Sequence, residues 1–537
     1  MVSDMISSAS FTIKPVELFA AGAAVIVGCW LRWYWLSPRI VRKVVRPRQS
    51  FPPDAIESLG GEDLIVGRLR TKFGLRFGSL LDPQRIEAAL VKTLDVFPCV
   101  SGRLDQDSLQ SSSVPFISQF HAGVVLEVLD DHVSDISQLR LSGLWGQAHG
   151  FQDDPLAFPS KDAPLFRARL ASFHRSGISI LFVDFAHLLG DMTSYANFLK
   201  VWSHFAAASD EPVPRELHPQ PINARRRRLT KQHGYSVQQA RQALKDGGEG
   251  AGTAQLLSSL VGAVLGSKLW NRTMQLRVNS AELMQLKESV IPKMQEGLWA
   301  STFETMVGSF LFARALAELE GAAGAPAMQK YAAVKVAVNL RGKVAEDEDA
   351  FPSHLFGNPI AWAELDLAAV LEEVRSSVES GEGKEEGTSK EQARLALLAK
   401  VVERVHSELR RGMTESGVLC EMLQLVTAGQ ELLPAPEFLD GVLRLQNKAF
   451  IEPIAGRGVV FNEWTSSNVL DVDFGSPSPS TGFVPMPSLT IIPNLHVLFP
   501  LDASADGVLP CCLPSRQAEL FLRVVREWQL PFELIAG

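Results

Sequence analysis

From about residue 60 the chain alternates short apolar runs with stretches in which apolar residues recur every three or four positions. That alternation predicts strands interleaved with helices, an α/β fold. Residues 61–77 read as strand-like and residues 82–94 as an amphipathic helix, because Asp82-Pro83 supplies an N-cap and a first-turn proline and Ile86, Leu90 and Leu94 then repeat at helical spacing. The segment Phe97-Pro98-Cys99-Val100-Ser101-Gly102-Arg103-Leu104 stops that helix and turns the chain into the next strand. Further on, residues 178–186 (ISILFVDFA) read as a buried strand, and residues 192–205 as a helix with Phe198, Leu199, Val201 and Trp202 facing inward.

Between these apolar stretches lies a polar, proline- and arginine-rich span, residues 209–252, with little apolar periodicity. Its length marks a crossover between two halves. The expected organisation is an N-terminal hydrophobic anchor or targeting segment at 1–50, an N-terminal domain at 51–208, a crossover linker at 209–262 and a C-terminal domain at 263–537. Two low-complexity stretches, residues 345–350 and 379–392, read as solvated loops or a frayed helix start, and no short-period repeat is evident.

Composition narrows the chemistry. With 537 residues, 46% hydrophobic and 21% charged, the chain can bury a large core and is long enough for more than one domain. A formal charge of -8 argues against a nucleic-acid partner, which needs a basic face to displace counterions. The short basic run 225–228 reads as a solvated loop, with a ligand phosphate as the alternative partner. Cys29, Cys99, Cys420, Cys511 and Cys512 show no CxxC spacing and no histidines at ligand spacing, so neither a zinc site nor a disulfide framework is indicated, and a reducing compartment is expected. Residues 18–36 are nearly all apolar, broken by Arg32 and followed by Arg39, Arg42, Lys43, Arg46 and Arg48. At ~1.5 Å per residue such a stretch just reaches across a ~30 Å hydrocarbon core. The readings are a membrane span with the body of the protein on the cytosolic face of an intracellular membrane, an interfacial helix, or a cleaved organelle-targeting segment.

Two H-x-x-x-D matches occur, His149 to Asp153 and His187 to Asp191. Context selects the second, because His187 follows a buried strand and precedes a helix, so its side chain is rigidly presented to a crevice, whereas His149 lies in a polar loop. An imidazole with an unperturbed pKa of ~6.5 can take and return a proton near neutrality. Asp191, four residues on, can hold the turn from behind through the backbone or an ion pair.

Several further segments, in the same order, resemble the BAHD acyltransferase family over nearly everything from residue 60 onward. His187-Leu188-Leu189-Gly190-Asp191 is similar to its HxxxD motif, and Val472-Asp473-Phe474-Gly475 to its DFGWG motif. Between and around them, residues 97–104 resemble the FYPLAGRL segment, Ser301-Thr302-Phe303-Glu304 the S-x-F-E helix start, Val338-Asn339-Leu340-Arg341 the V-N-x-R strand, and Phe356-Gly357-Asn358 the YFGN turn. The resemblance implies two pseudo-symmetric domains of the chloramphenicol-acetyltransferase type, with mixed sheets and a channel between them that admits acyl-CoA from one mouth and the acceptor from the other. It also implies that Asp191 bonds a basic side chain, matched by Arg341, that Asp473 belongs to a structural ion pair remote from the chemistry, that Gly357, Asn358 and Gly475 make turns, and that Ser301 and Thr302 help bind the cofactor.

Three departures stand out. The glycine that usually follows the motif aspartate is Met192, which narrows the channel; the DFGWG tryptophan is Ser476; and the family's T-S-W is Asn462-Glu463-Trp464. Asn462 and Trp464 are therefore the candidates to steady an oxyanion, since an asparagine amide donates as a threonine hydroxyl does. The implied activity is transfer of an acyl group, other than an aminoacyl group, from acyl-CoA to the hydroxyl or amine of a small molecule by a monomer, with His187 as general base and with no metal and no bound redox cofactor. Two alternatives stay open: a condensation-type domain acting on carrier-bound thioesters, disfavoured because Ala186 stands where that family has a second histidine, and a non-catalytic scaffold that modifies a membrane-bound lipid-synthesis partner.

Overall fold

The computed structural model describes residues 39–536 apart from 106–115, 137–161, 209–211, 220–235, 246–270, 321–330, 342–354, 381–389, 415–425, 447–457, 486–493 and scattered stretches of one or two residues. His149, Asp153, the 225–228 run, the loop at 345–350 and the apolar segment 18–36 lie outside the described residues.

The architecture is mixed α/β with two large sheets. The first has six strands in the order Arg39–Val45, Val124–Asp131, Phe166–Phe173, Ile178–Ala186, Arg70–Phe77, Gly482–Pro485. The second has seven, in the order Ile360–Leu365, Val334–Asn339, Val459–Glu463, Leu495–Pro500, Gly507–Pro514, Asn271–Val278, Phe532–Ala536. A small third sheet pairs Glu57–Ser58, Phe116–Ser118 and Arg103–Leu104.

All nine residues of Ile178–Ala186 are buried, as a central strand covered on both faces requires. Its one carboxylate, Asp184, is matched rather than abandoned: Arg70 Nε donates to Oδ1 at 2.7 Å and Arg167 Nε to Oδ2 at 2.9 Å. The Pro83–Val96 helix is capped by Asp82, whose side chain accepts from the N–H groups of Gln84 and Arg85. It packs with the Met192–Ala206 helix against this sheet, where Trp202 is fully buried and donates its indole N–H to the Ile86 carbonyl at 2.9 Å. Truncating such a ring costs ~3–5 kcal/mol, so this helix pair fixes where the following site stands.

In the second half, the Thr302–Glu320 helix lies between the helices Lys390–Thr414 and Ser515–Glu527, with Phe310 packed on Phe461 of the seven-stranded sheet and on Phe521. Cys511 and Cys512, adjacent in Gly507–Pro514, are both buried, and burial pushes the Cys511 thiol up, so Cys511 is not a reactive thiolate.

The two halves are interlocked. Gly482–Pro485, from the C-terminal part of the chain, completes the first sheet by pairing antiparallel with Arg70–Phe77, and Arg39–Val45, from the stretch expected to stand apart as an anchor, forms that sheet's outer strand against Val124–Asp131. The crossover also carries structure: Val237–Lys245 is helical and buries Ala240 and Leu244 against the Ala435–Gln446 helix. Both helices are short and flanked by polar sequence, which hid their periodicity. Among the described residues no helix is long and apolar enough to cross a membrane.

Candidate active site

His187 sits immediately beyond the end of Ile178–Ala186, opening a single 3-10 turn, His187–Leu189. Its own N–H donates to the Leu69 carbonyl at 2.9 Å, so the neighbouring strand end holds the backbone. The turn is tight because Gly190 has no side chain: a Cβ there would stand 2.6 Å from the Cβ of Ser194. Asp191 then caps the Met192–Ala206 helix by accepting from the Ser194 N–H at 3.0 Å.

The same carboxylate is gripped from the other half. Arg341 donates Nη1 to Oδ2 of Asp191 at 2.5 Å and Nη2 to Oδ1 at 2.9 Å, a two-pronged pair between side chains 3% and 5% exposed. The guanidinium also donates to the carbonyls of Leu355 and Gly357 and to the Ser194 hydroxyl, at 2.9, 3.0 and 3.0 Å. Asp191 thus clamps the two halves together behind the imidazole, and its carboxylate is not aimed at His187.

The imidazole has a different partner. Its Nδ1 lies 3.1 Å from Oδ1 of Asn358. The Asn358 amide is oriented by its other end, since Nδ2 donates to the His187 carbonyl at 2.9 Å and to Oδ1 of Asp63 at 3.0 Å. Asp63 is 2% exposed and is itself held by the Gly60 N–H at 2.9 Å. With the amide oxygen turned to the ring, Nδ1 must carry the hydrogen, which leaves the Nε2 lone pair for a substrate proton. Burial lowers the His187 pKa below its ordinary 6.5, opposed by its own backbone carbonyl, Asp191 and Asn358, so the ring is neutral at neutral pH. Sequence reasoning read Asn358 as a turn residue and passed over Asp63. The Gly357-Asn358 pair was the available signal, because a turn needs only the glycine.

His187 faces a cavity of about 280 Å3 between the halves, lined from the first by His187, Asp191, Met192 and Thr193 and from the second by residues that include Ser301, Phe303, Val338, Asn339, Asn462 and Trp464. Met192 is therefore a wall of this space. Asn462 shares the cavity with His187; its Oδ1 accepts from the Glu463 N–H at 2.8 Å, which directs the amide NH2 away from that backbone. Trp464 is 6% exposed and packs in an aromatic cluster with Phe73, Phe483 and Phe499, so it shapes the wall as part of the core. Ser301 also lines the cavity, but its hydroxyl accepts from the Glu304 N–H at 3.1 Å while Glu304 accepts from the Ser301 N–H at 2.5 Å, a capping box that starts the Thr302–Glu320 helix. Thr302 is not on the cavity wall; its hydroxyl is turned to Met284.

For Asp473, Oδ1 accepts from the Gly475 N–H at 2.7 Å, and among the described residues no cation pairs with the carboxylate. The turn leaves it half-buried, with Phe474 and Gly475 at φ 51° and 78°, and Arg85 packs against Gly475 rather than on the carboxylate. Ser476, in place of a tryptophan, meets the Ser79 hydroxyl at 2.8 Å. Among the described residues no group of three His, Cys, Asp or Glu side chains could hold a metal. Nor does any serine, threonine or cysteine side chain among them hydrogen-bond the imidazole.

Comparison with solved structures identifies the architecture. TRI101 of F. graminearum, solved with coenzyme A and T-2 mycotoxin, superposes with a TM-score of 0.61 at 14% identity over 90% of this chain and 100% of that one. TRI101 of F. sporotrichioides, also with coenzyme A and T-2, gives 0.57 at 15% identity over 90% and 100%. Vinorine synthase gives 0.53 at 14% identity over 90% and 96%. The chain shares their fold. No family model matches the sequence, and no curated protein matches it. The expected class, α/β with two mixed-sheet halves and a cavity between them, is therefore the fold of this protein.

Proposed function

We propose that this protein transfers an acyl group from acyl-CoA to a hydroxyl or amine of a small-molecule acceptor, using His187 as the general base. The observation that supports it most is the imidazole of His187, with Nδ1 engaged by Asn358 and its free face toward a cavity shared by both halves. The superposition on the two CoA-bound TRI101 structures supports the donor.

In this reading the acceptor O–H or N–H donates to Nε2 of His187 as its heteroatom attacks the thioester carbonyl. The proton moves to Nε2, a tetrahedral intermediate forms, and its oxygen takes a hydrogen bond from Nδ2 of Asn462. Collapse breaks the C–S bond, and Nε2–H returns its proton to the departing thiolate, giving CoA and the ester or amide. No acyl-enzyme is invoked, since among the described residues no serine, threonine or cysteine side chain hydrogen-bonds the imidazole. Asp191 and Arg341 hold the loop and take no part in proton transfer. Ser301 serves the cofactor, in this reading, through the helix start it caps rather than through its own hydroxyl.

A thiol-release assay tests the proposal. Acyl-CoAs of different chain length, each offered with pooled hydroxyl and amine acceptors, should liberate CoA only when an acceptor is present; release independent of every acceptor would point to hydrolysis instead.

A further inference from the structure

We propose that Trp299 and Arg410 form the seat for the 3′-phosphoadenosine end of the acyl-CoA, an inference that rests on the acyl-CoA reading above. The cavity beside His187 holds about 280 Å3. Pockets that enclose drug-sized ligands run to about 300–1,000 Å3, and CoA is larger than most of these. With its thioester at His187, the nucleotide must lie outside, on the rim.

Two elements that line the cavity meet again just beyond it. Ser301 and Phe303 form part of the wall on one element and Leu409 on another. Trp299 stands two residues before Ser301, and Arg410 directly follows Leu409 on the Lys390–Thr414 helix. Their side chains touch: the Arg410 guanidinium sits 4.7 Å from the indole centroid. The His406 ring approaches the same indole at 5.8 Å, and its Nδ1 lies 3.3 Å from the buried Glu304 carboxylate, itself on the cavity wall. The platform is therefore braced from within the site.

What it offers to solvent suits a nucleotide. Trp299 is 52% exposed and is the one aromatic among the exposed large apolar side chains of the described residues. An indole face left in water stacks on a purine, and a guanidinium beside it matches a phosphate with two parallel donors.

Calorimetric titration of the full chain with CoA and with 3′-dephospho-CoA tests the seat. Wild type should bind CoA more tightly than the dephospho form. Trp299→Ala should weaken both ligands, by roughly 5- to 150-fold for one lost base stack, and Trp299→Phe should recover part of that loss. Arg410→Ala should erase the preference for the 3′-phosphate, and Arg410→Lys should restore part of it. Wild-type binding left unchanged by all four substitutions would overturn the seat alone. No binding of CoA by wild type would overturn the acyl-CoA reading, and the seat with it.

Discussion

Nδ1 of His187 and Oδ1 of Asn358, 171 positions apart in the chain, lie 3.1 Å apart and bring the two halves together at the imidazole. Because Asn358 is turned by its donations to Asp63 and to the His187 carbonyl, this contact sets the tautomer rather than merely accompanying it.

Substituting Asn358 should therefore move proton chemistry more than binding. Asn358→Leu removes the acceptor and should lower kcat by a factor of roughly 10–100, the ~1.5–3 kcal/mol attached to a hydrogen bond that serves a charged state, with KM little changed. Asn358→Asp places a carboxylate beside Nδ1, which favours the imidazolium and should shift the acid limb of the rate profile to higher pH. A profile identical to wild type in both variants would show that Asn358 does not act on the ring.

The unmodified protein has its own pH signature. Burial lowers the His187 pKa, so at any given pH more of the ring is the unprotonated base than for a free histidine. Activity should rise through a midpoint below 6.5 and be flat by neutrality. Stability follows the same linkage: the unfolded chain binds the proton more readily, so this group's contribution falls as pH drops below the unfolded value near 6.5. Denaturation midpoints compared across pH 5 to 8, for wild type and His187→Gln, isolate that term.

The Asp191–Arg341 pair should behave as architecture. Asp191→Asn or Arg341→Ala leaves one buried group without its partner and should cost ~3–5 kcal/mol, seen as lost soluble protein or a lower unfolding midpoint. The double change Asp191→Asn with Arg341→Met should cost less than the sum of the singles. Additive losses would mean that the pair does not couple.

Asn462 is where the sequence departs from its resembled family in the chemistry itself. Asn462→Leu should cut kcat by roughly 10²–10³ with KM nearly unchanged, the ~2.7–4 kcal/mol of one oxyanion donor, while Asn462→Thr should keep substantial activity. Equal effects on kcat and KM would reduce the residue to its hydrogen bond with Glu463.

Much of the frame was legible because it is written locally. The strand at 178–186 and the helix that follows matched their apolar patterns, and Asp82-Pro83 announced the helix it caps. His187 was legible from its place between those two elements. What escaped was tertiary. Asp63 and Asn358 are single polar residues far from His187 along the chain, and only the fold places them behind the imidazole. At Asp473 the contact on the page is local, since the turn engages that carboxylate with its own Gly475 N–H. Gly482–Pro485 joins the sheet of the opposite half, an exchange that no periodicity reveals.

The most direct test of acyl transfer through His187 is mass spectrometry of a cell extract incubated with the protein and acyl-CoAs of different chain length, alongside His187→Ala and His149→Ala. Wild type and His149→Ala should add the mass of one acyl group to the same small molecule, and His187→Ala should do so ~10²–10⁴ times more slowly. An acylated product formed equally by His187→Ala, or lost only in His149→Ala, would contradict the assignment.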